Sequence, residues 1–173
     1  MKNLFYLLIV LVFSSCATVR VSHDYERGTD FSQFKTYNYY SDLQSGLSEL
    51  DERRLVAQLD DYLPQIGLTK SETPDVMIDF HSQETAQINN SNVGVGVGGG
   101  GGNVGGGITI GMPIGRSEVQ RQIIFQIIDD GGKGLVWEAI TESGYNPNST
   151  PDRKDSQFKT IVEKAFSMYP PQQ

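Results

Sequence analysis

The alternation of apolar and polar positions divides the chain into short segments of two different periods. Residues 18–25 read TVRVSHDY, with Val19 and Val21 alternating against Thr18 and Arg20, the period of a half-buried strand. A turn at Gly28-Thr29-Asp30 leads to residues 34–40, FKTYNYY, a second aromatic-rich strand. Residues 48–67 change period. Leu55, Leu59, Tyr62, Leu63 and Ile66 recur at helical spacing, which predicts a helix with one buried face. Ser48 is its expected N-cap, with Asp51 at the capping-box position. Pro64 should kink the last turn and Gly67 should mark the exit.

Strand periodicity then returns. Val76, Ile78 and Phe80 point one way, and Met77, Asp79 and His81 the other. In residues 119–129, Val119, Arg121, Ile123, Phe125 and Ile127 share a face. The turn DGGKG joins this strand to residues 135–143, where Leu135, Trp137 and Ala139 fall together, so the two segments read as an antiparallel hairpin. Trp137 is expected in the core. After a loop at residues 145–149, Thr150-Pro151 opens a second amphipathic helix through Phe158, Ile161, Val162, Ala165, Phe166 and Tyr169, stopped by Pro170-Pro171. The expected fold is α+β: a mostly antiparallel sheet of about five strands with two helices on one face.

Between the third and fourth strands, residues 89–113 read NNSNVGVGVGGGGGNVGGGITIGMP, a glycine-rich insertion. Glycine supplies no side chain to pack and loses the most entropy on ordering, so a surface loop is one reading. The other is a flat hairpin, because Val93, Val95, Val97, Ile108 and Ile110 alternate with glycine or threonine. These five are the candidate contacts for an envelope protein or glycan partner. The tract is no phosphate loop: no helix follows the glycines, and the G-K-[ST] ending is missing.

The N-terminus carries an address. MKNLFYLLIVLVFSSC has one early lysine, an apolar run from Leu4 to Phe13, two small serines and then Cys16. Ten apolar residues are too few to span a bilayer, which takes about 20, and they fit a signal peptide. The stretch resembles the lipobox of bacterial lipoproteins. That resemblance implies cleavage after residue 15, lipidation of Cys16 and a single anchored domain over residues 16–173. Two or more acyl chains anchor a protein stably where one does not. Ala17, in place of an aspartate, points by the same resemblance to the periplasmic face of the outer membrane.

Composition narrows the remaining choices. Fourteen Lys and Arg face 21 Asp and Glu, a net charge of −7, which argues against nucleic acid and anionic lipid as electrostatic partners. Cys16 is the only cysteine, so lipidation leaves no thiol for a disulfide, a nucleophile or a metal. No cofactor or metal motif is present. His23 and His81 lack a second ligand at motif spacing, and come together only if their strands are neighbours. Asp60-Asp61, Asp75 with Asp79, and Asp129-Asp130 read as solvated carboxylates. The leading expectation is a non-catalytic, lipid-anchored protein that binds or scaffolds another envelope component. The alternative is an enzyme on cell-wall glycan or lipid that uses scattered carboxylates or His81.

Several motifs together resemble the lipoproteins of the domain of unknown function family 4136. They are Val21, Asp24, Tyr25 and Glu26; Asp30, Phe31, Phe34, Lys35, Thr36 and Tyr37; Gly67, Leu68, Pro74 and Asp75; Ile127, Asp129, Asp130, Leu135, Val136, Trp137 and Ala139; and Phe166, Tyr169 and Pro170. The resemblance implies an α/β sandwich lipoprotein of the bacterial envelope in which glycine-rich inserts occur. It implies no activity.

Overall fold

A computed structural model describes residues 19–86 and 119–171. The elements run β1 (Arg20–Tyr25), a 3-10 turn (Phe31–Gln33), β2 (Thr36–Tyr39), α1 (Glu49–Tyr62), a second 3-10 turn (Leu63–Ile66), β3 (Thr69–Lys70), β4 (Val76–Ala86), β5 (Val119–Asp129), β6 (Gly134–Tyr145) and α2 (Pro151–Phe166).

The strands form one six-stranded sheet in the order β1-β6-β5-β4-β2-β3. Sequence patterning predicts about five. The extra strand is β3, two exposed residues too short to show any period, beside the start of β2. The pairs β1–β6, β6–β5 and β5–β4 are antiparallel, whereas β2 runs parallel to both β4 and β3. The sheet is therefore mixed, though mostly antiparallel, with the predicted β5–β6 hairpin flanked by β1 and β4.

Both helices cover one face. Leu55, Leu59 and Leu63 from the first helical segment and Phe158, Ile161, Val162, Ala165 and Phe166 from α2 meet the inward residues of the sheet. Val76, Ile78 and Phe80 on β4, and Ile123, Phe125 and Ile127 on β5, are fully buried, as their alternation requires. Trp137 is also fully buried, stacked on Phe166 with ring centroids 5.0 Å apart.

Leu135 departs from expectation. It does not share the Trp137 face but stands 47% exposed. The register shifts between Ile127 and Ile128, which oppose Trp137 and Leu135, so Val136 is an extra residue. This bulge turns Val136 inward and Leu135 outward, a local break in the period of two that alternation cannot reveal.

The helix ends follow local chemistry. Ser48 Oγ accepts the Asp51 N–H at 3.3 Å. Pro64 stands at the start of a tightened 3-10 turn, and Gly67, at φ 91°, closes it in the left-handed conformation that glycine allows. Thr150 and Pro151 open α2 as expected, although the threonine side chain makes no capping bond. The segment between β2 and α1 then runs along β4, where Ser82 N–H donates to Ser45 O at 2.7 Å. A Cβ at Gly46 would stand 2.8 Å from Ser82 O, so a side chain there would push the segment off the strand.

Candidate functional site

Asp51 is buried, and its carboxylate does not close the expected capping box. It faces three cations instead: Arg54 Nη1 at 3.0 Å, Lys154 Nζ at 3.4 Å and Arg121 Nη1 at 3.5 Å. Arg121 is itself 5% exposed, pairs with Glu84 at 2.7 Å and lies over the Tyr145 ring at 3.4 Å. Arg54 reaches on to Asp155 at 3.1 Å. Three carboxylates thus balance three cations. The network joins the first turns of both helices to β4, β5 and the end of β6. Asp51 also lies in the first turn of α1, where the helix dipole favours negative charge. The residues are mutually neutralised, and the cluster works as a structural lock. The one sequence signal for it is Arg121, a charge on the otherwise apolar inward face of β5.

A second cluster forms where α1 crosses β2. Tyr37 and Tyr39 both donate to Asp60 Oδ1 at 2.8 Å, and Lys70 Nζ reaches Oδ2 at 3.0 Å. Burial alone would raise the Asp60 carboxyl, but hydrogen bonds from Lys70 and the two phenols hold it below its usual range. Burial and the adjacent carboxylate push both phenols far above theirs. These phenols stay protonated and committed to Asp60. The carboxylate is held, not merely solvated as its place on a polar helix face suggests.

Two more acidic residues are backbone clamps. Asp75 Oδ2 accepts from Lys35 N–H at 2.8 Å and Thr36 N–H at 2.9 Å, and also from the Thr36 hydroxyl. Asp30 Oδ1 caps the first 3-10 turn through Ser32. Backbone and side-chain hydrogen bonds from Lys35 and Thr36 lower the Asp75 carboxyl, and those from Ser32 lower Asp30. All three carboxyls sit lower in the folded chain than in the unfolded one, so the unfolded chain takes up protons first as pH falls. Their contribution is complete above the ordinary carboxylate range and is lost as pH drops through roughly 4 and below. Urea midpoints measured against pH should therefore fall on the acid side. Asp60→Asn should flatten that slope while lowering the neutral-pH midpoint.

The histidines do not meet. β1 and β4 are separated by β6 and β5. His23 is in register with buried Ala139 on the helix side, whereas His81 is in register with Ile124 on the open side. No group of three or more His, Cys, Asp or Glu suited to a metal ion exists among the described residues. Asp79 Oδ1 accepts the Phe80 N–H at 2.8 Å, and Asp129 Oδ2 accepts the Lys133 N–H at 3.2 Å across the hairpin turn. Concavities are formed at two places among the described residues. A wide groove of about 380 Å³ between the helices is lined by Gln58, Asp61, Tyr62, Gln65, Lys159 and Glu163. A smaller one of about 180 Å³ lies where β1 meets β6. Asp79 and His81 line neither.

Cys16 and the candidate contacts Val93, Val95, Val97, Ile108 and Ile110 lie outside the described residues. The segment that carries those five contacts leaves from Ala86 and returns at Val119, which are register partners at one end of β4 and β5.

A family model described as Domain of unknown function (DUF4136) matches residues 21–171. No curated protein matches the chain. Among solved structures, a PDZ domain protein from Parabacteroides distasonis is similar at TM-score 0.55 and 16% identity, over 99% of this chain and 41% of its own. The chain thus spans about two-fifths of that protein. PelC from Paraburkholderia phytofirmans, described as a dodecamer, is similar at TM-score 0.52 and 10% identity, over 90% of this chain and 100% of its own. At these identities the likeness is one of fold.

Proposed function

We propose that this chain, which belongs to the DUF4136 family, is a lipid-anchored protein of the bacterial envelope that binds or scaffolds another envelope component without catalysis. The observation that carries the reading is the pattern MKNLFYLLIVLVFSSC, which ends at Cys16 just ahead of β1 at Arg20. The four steps from Cys16 to Arg20 reach at most roughly 14 Å. An anchor at Cys16 therefore holds the start of β1 close to the bilayer, on the periplasmic face of the outer membrane by the Ala17 rule.

The fold gives this arrangement a further consequence. Arg20 is the register partner of Glu142, and Tyr145, three residues on in β6, is the register partner of Val119. The segment after Ala86 thus leaves the sheet from the end that the anchor draws to the membrane. A protein or glycan partner in the envelope would meet Val93, Val95, Val97, Ile108 and Ile110 there. The described domain supports the scaffold reading because its best-formed charged clusters hold backbone and helices in place.

In-cell crosslinking with mass spectrometry, comparing the intact chain with one lacking residues 92–107, tests the partner. The intact chain should capture a discrete envelope component that the shortened chain loses. Capture of the same component by both forms would remove the segment from the contact. A ladder of self-crosslinks would replace the partner with self-assembly.

A further inference from the structure

We propose that the free edge of β1 takes up an extended, basic polypeptide segment of the partner as an added strand, one lysine or arginine seating among Asp24, Glu26 and Glu138. This rests on the reading of the protein as a binding module and names the chemistry of what it binds.

Three observations converge on this edge. First, β1 ends the sheet order, so its outward main-chain groups face no other strand among the described residues. Such an edge is the ordinary template for strand addition. Second, Asp24 and Glu138 are directly opposed register partners of like charge, a pairing that destabilises a sheet. Neither has an ion-pair partner among the described residues. Asp24 Oδ1 accepts only the Tyr25 N–H at 2.8 Å, and Glu138 Oε2 only the Gln126 amide at 2.7 Å. Third, the concavity of about 180 Å³ at this point is lined by Asp24, Glu26 and Glu138 together with the exposed Leu135. Carboxylates beside an exposed leucine suit a side chain with an aliphatic stem and a cationic head. Leu135 offers the surface for that stem.

Charge decides between occupants. A second copy of this chain carries the same net charge of −7 and is repelled as a whole. The outward main chain of β1, which faces no strand among the described residues, favours a polypeptide over a small cation. The acids also repel acidic strands, which narrows what can pair with the edge.

The test is a titration of the full chain, nitrogen-labelled and in detergent, with an alternating lysine–threonine heptapeptide followed by NMR. An alternating lysine–proline peptide of equal charge is the control, since proline cannot donate to a ladder. The lysine–threonine peptide should bind saturably, shifting the amides of Val21, His23 and Tyr25, with the proline peptide about tenfold weaker or worse. Asp24→Asn combined with Glu138→Gln should weaken binding by about tenfold. Asp61→Asn combined with Glu163→Gln, in the groove between the helices, should leave it unchanged. Equal binding of both peptides, or equal weakening by both variant pairs, would reduce the effect to diffuse attraction and overturn the proposal. No binding of the lysine–threonine peptide would likewise overturn it. Loss of the anchor or of the crosslinked partner is read independently of this titration.

Discussion

Asp51→Ala is expected to lower the unfolding free energy by about 3–5 kcal/mol, the cost of leaving buried charge uncompensated. The substitution strands Lys154 and leaves Arg121, 5% exposed, with Glu84 alone. Chemical denaturation at neutral pH measures the loss. The mechanism makes a second demand. Replacing Asp51 and Arg121 together with apolar residues of similar size should cost clearly less than the sum of the two single losses, because the charges are removed as a pair. Additive losses would mean that the two side chains act separately.

The second large effect is at Trp137. Its ring stacks on Phe166 and meets Tyr169 edge-on at 5.5 Å, with no exposure to solvent. Trp137→Ala should cost about 3–5 kcal/mol through lost burial and the cavity left behind. Trp137→Phe should cost less than about 2 kcal/mol, because the indole Nε1–H has no hydrogen-bond acceptor among the described residues and its removal breaks no bond to them. Thermal melts of the two variants separate packing from hydrogen bonding. A Phe variant as damaged as the Ala variant would show that the indole nitrogen is engaged.

Both residues show what was legible in the sequence and what was not. Trp137 was readable as core, since it falls in register with Ala139 on a strand of period two. Its neighbour Leu135 was not, because a bulge opposite Ile127 and Ile128 reverses its side, and a bulge leaves no mark on alternation. The β5–β6 hairpin and both helix stripes were legible from strong local periods. The parallel pairing of β2 with β4 was not, because partner choice between distant strands is a tertiary outcome.

The same division applies to the charged clusters. Asp75 was visible only as a carboxylate before a strand. Its bonds to the Lys35 and Thr36 backbone, some 40 residues earlier, hold the start of β2 beside the start of β4. Asp60 looked solvated on a helical wheel, and became a shared acceptor only once β2 and β3 were brought beneath it. Arg121 carried a signal in its place on the strand. An arginine among inward apolar residues needs a buried counter-charge, and Asp51 supplies it.

The measurement that reaches the central claim most directly is mass spectrometry of the N-terminal peptide of the protein isolated from its own membranes. The account predicts a chain that begins at Cys16 and carries diacylglycerol on the thiol. A chain that still begins at Met1, or one cut elsewhere with Cys16 unmodified, would contradict it and remove the membrane from the proposed function.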